Sequence, residues 1–350
     1  MLLEVTDLVV SFPTPDGVVE AVRGVSFAVD RAETLGIVGE SGSGKSVSAQ
    51  TVIGLTRGAR ISGQAMFEGT DLLKMRKAQL RAVRGAKIGM VFQDPLSSLH
   101  PYYKVGWQIA EAVRAHEKVT KAAAHNRAVE LLGLVGIPHP SRRVGDYPHQ
   151  FSGGMRQRAM IAMALALSPS LVIMDEPTTA LDVTVQAQVL ELTKHLQDEL
   201  GMAIVMITHD LGIIADMADR VMIMYAGKVM ETAGRREVYY RPHHPYTAGL
   251  LNSLPQSGHE GERLVPIAGQ PPSLISPPPG CPFWPRCAFA MPRCSREAPP
   301  LRPLPGPDDH RSACWLPLEL TGAGPEVAEG RRQASAAAGG AALQSSVAGR

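Results

Sequence analysis

The segment Gly39-Glu-Ser-Gly-Ser-Gly-Lys-Ser46 matches G-x-x-x-x-G-K-[ST], a spacing that can cradle the phosphates of a nucleotide. The apolar run Thr34–Val38 before it predicts a buried strand, and residues 45–54 after it predict the start of a helix. Glycines let backbone N–H groups converge on phosphate oxygens, and a helix N-terminus adds a positive dipole end. The predicted nucleotide-binding residues are Gly39, Glu40, Ser41, Gly42, Ser43, Gly44, Lys45, Ser46 and Val47.

Two carboxylates, Asp175 and Glu176, follow the apolar run of residues 171–174. We expect Lys45 to bridge the β- and γ-phosphates, Ser46 to offer its hydroxyl to Mg²⁺, and Asp175 to hold that ion through water. Glu176 is placed to polarise the attacking water, a general-base role worth ~10²–10⁴-fold in rate. The alternative is a strand that ends in a solvated acidic turn, and the phosphate loop upstream argues against it.

Composition narrows the class of protein. The chain has 350 residues, of which 45% are hydrophobic and 19% charged, so it can bury a substantial core. Its net charge is +2 and no block of Lys and Arg stands out, which argues against a nucleic-acid partner. The N-terminus lacks the pattern of a secretory signal, and the longest apolar runs are strand-sized, far short of the ~18 residues of a membrane span. We therefore expect a cytosolic protein that meets a membrane only through a partner.

The order of elements predicts an α/β fold with several parts. Strand and helix signals alternate in residues 1–96 and 169–235, which favours a parallel, doubly wound core, while residues 97–168 switch to helical spacing. Proline becomes dense after about residue 255, and the four cysteines of the chain lie there. Residues 236–319 are therefore predicted to form a separate extension, and residues 320–350 a disordered tail.

Further motifs identify a family. Phe151-Ser-Gly-Gly-Met155 opens a helix and resembles the LSGGQ signature of ATP-binding-cassette (ABC) ATPases, with Phe for Leu and Met for Gln. Residues 178–182 resemble the D-loop of these ATPases, His209 their switch histidine and Gln93 their Q-loop. These motifs occur in the order and with the spacing of the family. Residues 1 to about 235 therefore resemble an ABC nucleotide-binding domain, a P-loop fold with a mixed-sheet core, an antiparallel β subdomain and a helical subdomain.

The resemblance implies a mechanism in which two such domains face each other head to tail and bind ATP between them. The partner's ATP would then meet the signature residues Ser152, Gly153, Gly154 and Met155, with Asp182 in the D-loop. The chain's own ATP would meet the phosphate loop together with Gln93, Asp175, Glu176 and His209. Lys45, Glu176 and His209 would be catalytic, and Ser46, Gln93 and Asp175 would hold Mg²⁺. Phe12 either stacks on adenine or is a core residue.

His244-Pro-Tyr246 and the following Thr-Ala-Gly-Leu-Leu resemble the tail signature of dipeptide and oligopeptide permease ATPases. From the residues alone they predict only a surface turn that leads into a short amphipathic helix. The resemblance implies the ATPase subunit of a peptide importer, or of an importer of another small solute such as a nickel chelate. It also implies a paralogous second ATPase, two membrane-spanning permease subunits, an extracytoplasmic solute-binding protein, and a place at the cytoplasmic face of the membrane.

Cys281, Cys287, Cys294 and Cys314 have the spacing C-x5-C-x6-C-x19-C, which does not match a zinc ribbon. Disulfides are disfavoured in the cytosol, so four thiolates in a Pro-rich loop suit a metal or a cluster. The same peptide-permease resemblance implies a [4Fe–4S] cluster, and structural Zn²⁺ or free thiols are the alternatives. Arg286 and Arg293 nearby would offset the cluster's negative charge. If the extension is a separate module, loss of this centre should spare the ATP site.

Sequence features argue against three rival functions. A soluble ABC ATPase that works on DNA or ribosomes would be expected to carry a coiled-coil insertion, tandem cassettes or a basic linker, and none is visible. An exporter cassette is usually fused to membrane spans. A catalytically inactive regulatory subunit is disfavoured because Lys45, Asp175, Glu176 and His209 are all present.

Overall fold

The structure is a computed structural model, and it describes residues 1–179, 181–253, 266–306 and 309–317. Ala180, in the segment that resembles a D-loop, and the predicted tail of residues 320–350 lie outside the described residues.

Twelve strands occur within the described ranges. They are β1 (Leu3–Thr14), β2 (Gly17–Val29), β3 (Thr34–Val38), β4 (Arg60–Phe67), β5 (Thr70–Asp71), β6 (Ile88–Val91), β7 (Leu171–Asp175), β8 (Ala203–Thr208), β9 (Arg220–Tyr225), β10 (Lys228–Gly234), β11 (Arg302–Pro303) and β12 (Arg311–Ser312).

Twelve α-helices lie between these strands or beside them. They are α1 (Lys45–Val52), α2 (Lys77–Val83), α3 (Pro95–Ser98), α4 (Val105–Arg114), α5 (Lys121–Leu134), α6 (Pro140–Arg143), α7 (Gly153–Ala164), α8 (Val183–Leu200), α9 (Leu211–Met217), α10 (Arg235–Tyr240), α11 (Pro245–Asn252) and α12 (Pro292–Arg296). Short 3₁₀ turns cover Leu72–Lys74, Pro148–Gln150 and Trp284–Arg286.

A four-stranded antiparallel sheet, in the order β2-β1-β4-β5, is built on the alternation of the N-terminal segment. Leu3, Val5, Leu8 and Val10 of β1 are buried. The alternation shifts by one residue between Val5 and Leu8, where the register of β1 with β2 is irregular and Asp7 has a φ of 48°. Such a bulge keeps the apolar residues of both halves of the strand on one face. This sheet is the predicted antiparallel β subdomain, which β4 and β5 complete.

The second sheet has eight strands in the order β11-β12-β10-β9-β3-β8-β7-β6. Strands β9, β3, β8, β7 and β6 run parallel, as predicted for the core, whereas β10, β12 and β11 add an antiparallel margin. The central strands are mostly apolar and fully buried because both faces of this sheet are covered. The carboxyl ends of β3, β6, β7 and β8 lie at one edge, so the loops that follow them meet there.

Helices α4, α5 and α7 pack together as the helical part of the chain. Their apolar faces share one core with the parallel sheet, and this core includes Ile109, Leu131 and Ile161. Two of these helices begin at a capping residue, Thr120 at α5 and Ser152 at α7, whose side chains accept hydrogen bonds from backbone N–H groups of the first turn.

The C-terminal extension is joined to the core by strand pairing and by a shared apolar core. β12 pairs with β10 at Glu231 and Ser312, so the extension adds strands to the core sheet. Tyr246 and Phe283, together with two of the cysteines, are buried in the same apolar core as the helical region. A two-residue strand has no sequence pattern of its own, so this pairing could not be predicted.

Across the described residues, no helix combines the length and the apolar character that crossing a bilayer requires.

Candidate functional site

The phosphate loop connects β3 to α1 and is packed too tightly for side chains at two of its glycines. A Cβ atom at Gly39 would lie 2.1 Å from the carbonyl oxygen of Met224. A Cβ atom at Gly44, which has a φ of 96°, would lie 2.3 Å from the carbonyl oxygen of Ala21. These contacts explain why the loop needs glycine at both positions.

Lys45 is 4% exposed, and its Nζ donates hydrogen bonds to the carbonyl oxygens of Gly39 at 2.7 Å and of Glu40 at 3.0 Å. Burial lowers the pKa of Lys45, and the nearby charges of Glu176, Asp175 and Glu40 offset this only partly. A phosphate oxygen at the loop would supply the negative charge that favours the ammonium form. The environment of Lys45 therefore suits an anionic ligand.

Ser46 and Asp175 meet at the edge of the sheet, where the Ser46 hydroxyl donates to Asp175 Oδ1 at 2.6 Å. The Gln50 amide donates to Asp175 Oδ2 at 3.3 Å. Burial raises the pKa of Asp175, although the hydrogen bonds from Ser46 and Gln50 act in the opposite direction. A divalent cation beside this carboxylate would favour its ionised form. A hydroxyl and a carboxylate are ligands that Mg²⁺ accepts, so the donor set fits that ion.

Glu176 gathers the other polar groups of this edge. Its carboxylate Oε2 accepts hydrogen bonds from the Gln93 amide at 3.2 Å and the Thr179 hydroxyl at 3.0 Å, and lies 3.3 Å from His209 Nδ1. The backbone of Glu176 has a φ of 48°, while its N–H donates to the Ile207 carbonyl at 2.8 Å. A left-handed backbone at a non-glycine residue is strained, and such strain concentrates at functional sites.

The structure thus divides the predicted catalytic and magnesium-binding residues into two neighbouring groups. Ser46 lies with Asp175, and His209 lies with Glu176. Gln93, predicted as a magnesium ligand, is hydrogen bonded to Glu176.

Two polar residues of this edge, Gln50 and Thr179, were not predicted from the sequence. Gln50 lies four residues after Ser46, on the same face of α1, so helical spacing was the available signal. Thr179 lies three residues after Glu176, within the segment that resembles a D-loop, but it carried no signal for a bond to Glu176.

The signature residues occupy an exposed helix start. The Ser152 hydroxyl accepts a hydrogen bond from the Met155 N–H at 3.3 Å and so caps α7. Ser152 and Gly153 are exposed, whereas Gly154 packs against α8, where a Cβ atom would lie 2.5 Å from a methyl group of Val185. Asp182 caps α8 by accepting from the Val185 N–H at 3.0 Å. The exposed cap is accessible to a second molecule.

Phe12 lies in β1 of the antiparallel sheet, and Val47 lies in α1. Phe12 pairs with Val19 across β1 and β2, and both Phe12 and Val47 are half-buried against the apolar core beneath that sheet. The adenine contact of Phe12 stays a prediction.

The four cysteines line one cavity, together with aromatic residues that include Phe283 and Trp315. All four are free thiols. Burial raises the pKa of Cys281 to about 11 and that of Cys287 to about 12, so these thiols are protonated without a metal. Four sulfur donors in one apolar cavity fit a thiophilic metal. In the part of the chain that the structure describes, however, no group of three His, Cys, Asp or Glu side chains has an arrangement that could hold a metal ion.

Two residues of the extension, Arg286 and Tyr246, contact Glu40 of the phosphate loop. Arg286 pairs with the carboxylate of Glu40 at 2.8 Å, so its charge is paired at the loop. The sequence predicted instead that this charge offsets that of a cluster at the cysteines. Arg293 pairs with Glu297 and covers the ring of Trp315 at 3.5 Å. Tyr246, predicted at a surface turn, is fully buried, and its hydroxyl accepts from the Glu40 N–H at 3.0 Å.

Comparisons with known proteins agree with this architecture. The family model for the ABC transporter matches residues 22–179, and the model for the oligopeptide/dipeptide transporter C-terminal region matches residues 230–294. The oligopeptide transport ATP-binding protein OppD of Bacillus subtilis is 53% identical over 319 residues, which cover 90% of this chain and 88% of that protein. The dipeptide transport ATP-binding protein DppD of the same organism is 50% identical, covering 90% of this chain and 94% of that protein.

Solved structures show the same fold. An ATP-binding cassette in a dimeric, post-hydrolysis state with ADP and Pi has a TM-score of 0.61 and 25% identity, covering 67% of this chain and 99% of that one. CbiO1 of Clostridium perfringens, part of the ABC transporter complex cbiONQ, has a TM-score of 0.59 and 29% identity, covering 69% of this chain and 91% of that one. The chain therefore belongs to the ABC transporter family and, within it, to the oligopeptide and dipeptide transport ATP-binding proteins.

Proposed function

We propose that this chain hydrolyses ATP to drive the import of peptides, and that the residues gathered at the edge of the eight-stranded sheet perform the hydrolysis. The observation that carries this proposal is the meeting of Gln93, Thr179 and His209 at Glu176, directly beside the pair of Ser46 and Asp175. A base needs such neighbours to fix its carboxylate before water is activated.

Each group has a defined part in the reaction. Lys45 and the loop N–H groups bind the phosphates, and Ser46 and Asp175 would hold Mg²⁺, which would supply positive charge to offset that of the phosphate oxygens. Glu176 takes the proton of the water that attacks the γ-phosphate. Gln93 and His209 orient the Glu176 carboxylate through the contacts described above. We retain the division into a core of residues 1–96 and 169–235, a helical part of 97–168 and an extension of 236–319.

Peptides are the proposed cargo because the similar proteins of Bacillus subtilis are named for oligopeptide and dipeptide transport. The test is to reconstitute the chain with its permease subunits in liposomes and to measure ATP hydrolysis with a loaded solute-binding protein. A peptide-loaded binding protein should stimulate hydrolysis. Stimulation by a binding protein loaded with a nickel chelate, and not by one loaded with a peptide, would contradict the proposed cargo and support the alternative importer.

The permease subunits would dock on the helical part of the chain. Tyr102, Tyr103 and Trp107 expose large aromatic surfaces there, with Tyr102 83% exposed, and the rings of Tyr103 and Trp107 stack at 4.4 Å. Exposed aromatic groups of this kind are enriched at protein interfaces. Docking on the permease subunits through this surface would place the chain at the cytoplasmic face of the membrane.

A second ATPase subunit, proposed to be a paralogue, would complete the nucleotide site head to tail. The similar cassette with ADP and Pi is described as dimeric. The exposed Ser152 and Gly153 would then contact the partner's ATP, as the signature resemblance implies.

Replacing Ser152 with alanine tests this pairing. We expect ATP-dependent association with the partner ATPase to weaken about tenfold because a hydroxyl contact to phosphate is lost. ATP binding by the isolated chain should not change, since Ser152 serves the partner's site. Association can be measured by light scattering in a Glu176→Gln background, which retains ATP. Unchanged association with weaker ATP binding by the isolated chain would contradict the trans role.

We further propose that Cys281, Cys287, Cys294 and Cys314 bind a [4Fe–4S] cluster, with Zn²⁺ as the alternative occupant. The shared cavity of the four thiols supports a metal centre. Anaerobically purified protein is expected to be coloured and to contain about four irons per chain. Replacing Cys281 with serine should remove the iron. A colourless protein with one zinc would establish the alternative, and a metal-free protein would contradict both.

A further inference from the structure

Arg286 is an arginine of the extension that reaches the phosphate loop in a fixed conformation. Its side chain is 6% exposed, and its Nη1 donates to Glu40 Oε2 at 2.8 Å and to the Tyr225 hydroxyl at 3.0 Å. Its Nε donates to the Ala268 carbonyl at 3.0 Å and its Nη2 to the Ile267 carbonyl at 3.1 Å. The guanidinium is therefore held on several sides, unlike an arginine at a solvated surface.

Tyr246 makes the second contact between the extension and the loop. Its hydroxyl accepts from the Glu40 N–H, and its ring packs against Tyr225 and Phe283 at centroid distances of 4.7 and 5.2 Å. The remaining polar group of Glu40, its carbonyl, accepts from Lys45 Nζ. The extension thus binds the N–H and the carboxylate of Glu40, while the catalytic lysine binds its carbonyl.

This arrangement has a consequence for nucleotide binding. Phosphates bound at the loop would compete with the carbonyls of Gly39 and Glu40 for the Lys45 ammonium, and so weaken its hold on Glu40. The position of Glu40 then depends on Arg286 and Tyr246. The Glu40 carboxylate would also repel a triphosphate bound at the loop. Its pairing with Arg286 reduces that repulsion.

We propose that Arg286 and Tyr246 are positioning residues of the ATP site, and that they hold and neutralise Glu40 so that the loop is ready for nucleotide. This inference rests on the proposed nucleotide site. It makes the cysteine-bearing extension part of the machinery that binds ATP. Because Arg286 immediately precedes Cys287, the segment that carries the cysteines also fixes the loop.

The principal test replaces Arg286 with glutamine in the full-length chain. We expect the dissociation constant for a fluorescent ADP analogue with Mg²⁺ to rise about tenfold, since a charge-assisted hydrogen bond is lost and Glu40 is left unpaired. The KM for ATP should rise similarly with kcat little changed. Arg286→Lys should restore part of the affinity, because it restores the charge.

A second variant separates charge pairing from general support of the fold. Glu40→Gln removes the carboxylate, so the double variant Arg286→Gln with Glu40→Gln should bind nucleotide more tightly than Arg286→Gln alone. The bonds of Arg286 to Ala268 and Ile267 are lost in both variants, and their loss cannot be rescued at position 40. A double variant that binds no better than Arg286→Gln would overturn the proposal.

Two controls make the result interpretable. Arg296→Gln makes the same charge change at an exposed position of the extension and should leave the affinity unchanged. Lys45→Ala tests the nucleotide site itself. Wild-type affinity in Arg286→Gln, with binding lost in Lys45→Ala, would overturn the positioning role alone. Wild-type affinity in Lys45→Ala would overturn the proposed site on which the inference rests.

Discussion

Replacing Glu176 with glutamine is expected to lower the rate of ATP turnover by ~10²–10⁴-fold, the size of a general-base contribution. The amide keeps the shape of the side chain and can still meet Gln93, Thr179 and His209. It cannot take a proton from water. ATP should therefore bind with unchanged or tighter affinity, and the bound nucleotide should remain ATP rather than ADP.

Single-turnover hydrolysis and equilibrium binding measure these two quantities separately. Thr179→Val provides a comparison, because it removes one hydrogen bond to the same carboxylate but leaves the base in place. We expect Thr179→Val to lose about tenfold in rate, in line with one hydrogen bond to a charged group. Hydrolysis at the parental rate in Glu176→Gln would show that another group accepts the proton.

Local signals made the centre of this fold predictable. The run Thr34–Val38 was predicted as a strand with the bounds that the structure has, because a short apolar segment followed by glycines has few other solutions. The helix after Asp182 also has a local signal, since an acidic cap precedes an amphipathic segment. The parallel order of β3, β7 and β8 then brings the loop, the carboxylates and His209 to one edge.

Contacts between distant parts of the chain could not be predicted in the same way. Arg286 lies 246 residues from Glu40, and nothing in the spacing of either residue indicates the pair. Tyr246 is predicted at a surface turn, yet its ring is buried and its hydroxyl accepts a hydrogen bond from the Glu40 N–H of the loop. Gln93 lies 83 residues from Glu176, and nothing in its spacing indicates their hydrogen bond; its magnesium contact stays a prediction.

One buried carboxylate, Glu231 of β10, helps to join the extension to the core. Glu231 is 0% exposed and accepts from the N–H groups of His243 at 2.7 Å and His244 at 3.0 Å. Its Oε1 lies 2.6 Å from His310 Nε2. Burial opposes ionisation of Glu231, but the hydrogen bonds with His310, His243 and His244 lower its pKa below the usual value.

Replacing Glu231 with alanine should therefore lower the free energy of unfolding by about 3 kcal/mol, because several buried hydrogen-bond donors would be left without their acceptor. The two backbone N–H groups would lose their acceptor, and the segments around His243 and His310 would separate first. Urea unfolding measures the free energy, and hydrogen exchange in residues 281–294 reports the local opening. Glu297→Gln, in an exposed pair of the same extension, should leave the unfolding midpoint unchanged.

The sign of the pH dependence provides an independent check. Because the pKa of Glu231 is lower in the folded chain than its ordinary value of 4.5, its stabilising effect is complete above about pH 4.5. That effect is lost as the pH falls through the folded pKa, where the carboxylate takes up a proton. The difference in unfolding free energy between wild type and Glu231→Gln should be full at pH 7 and shrink in acid. A difference that is independent of pH would mean that the ionised carboxylate does not anchor the extension to the ATPase core.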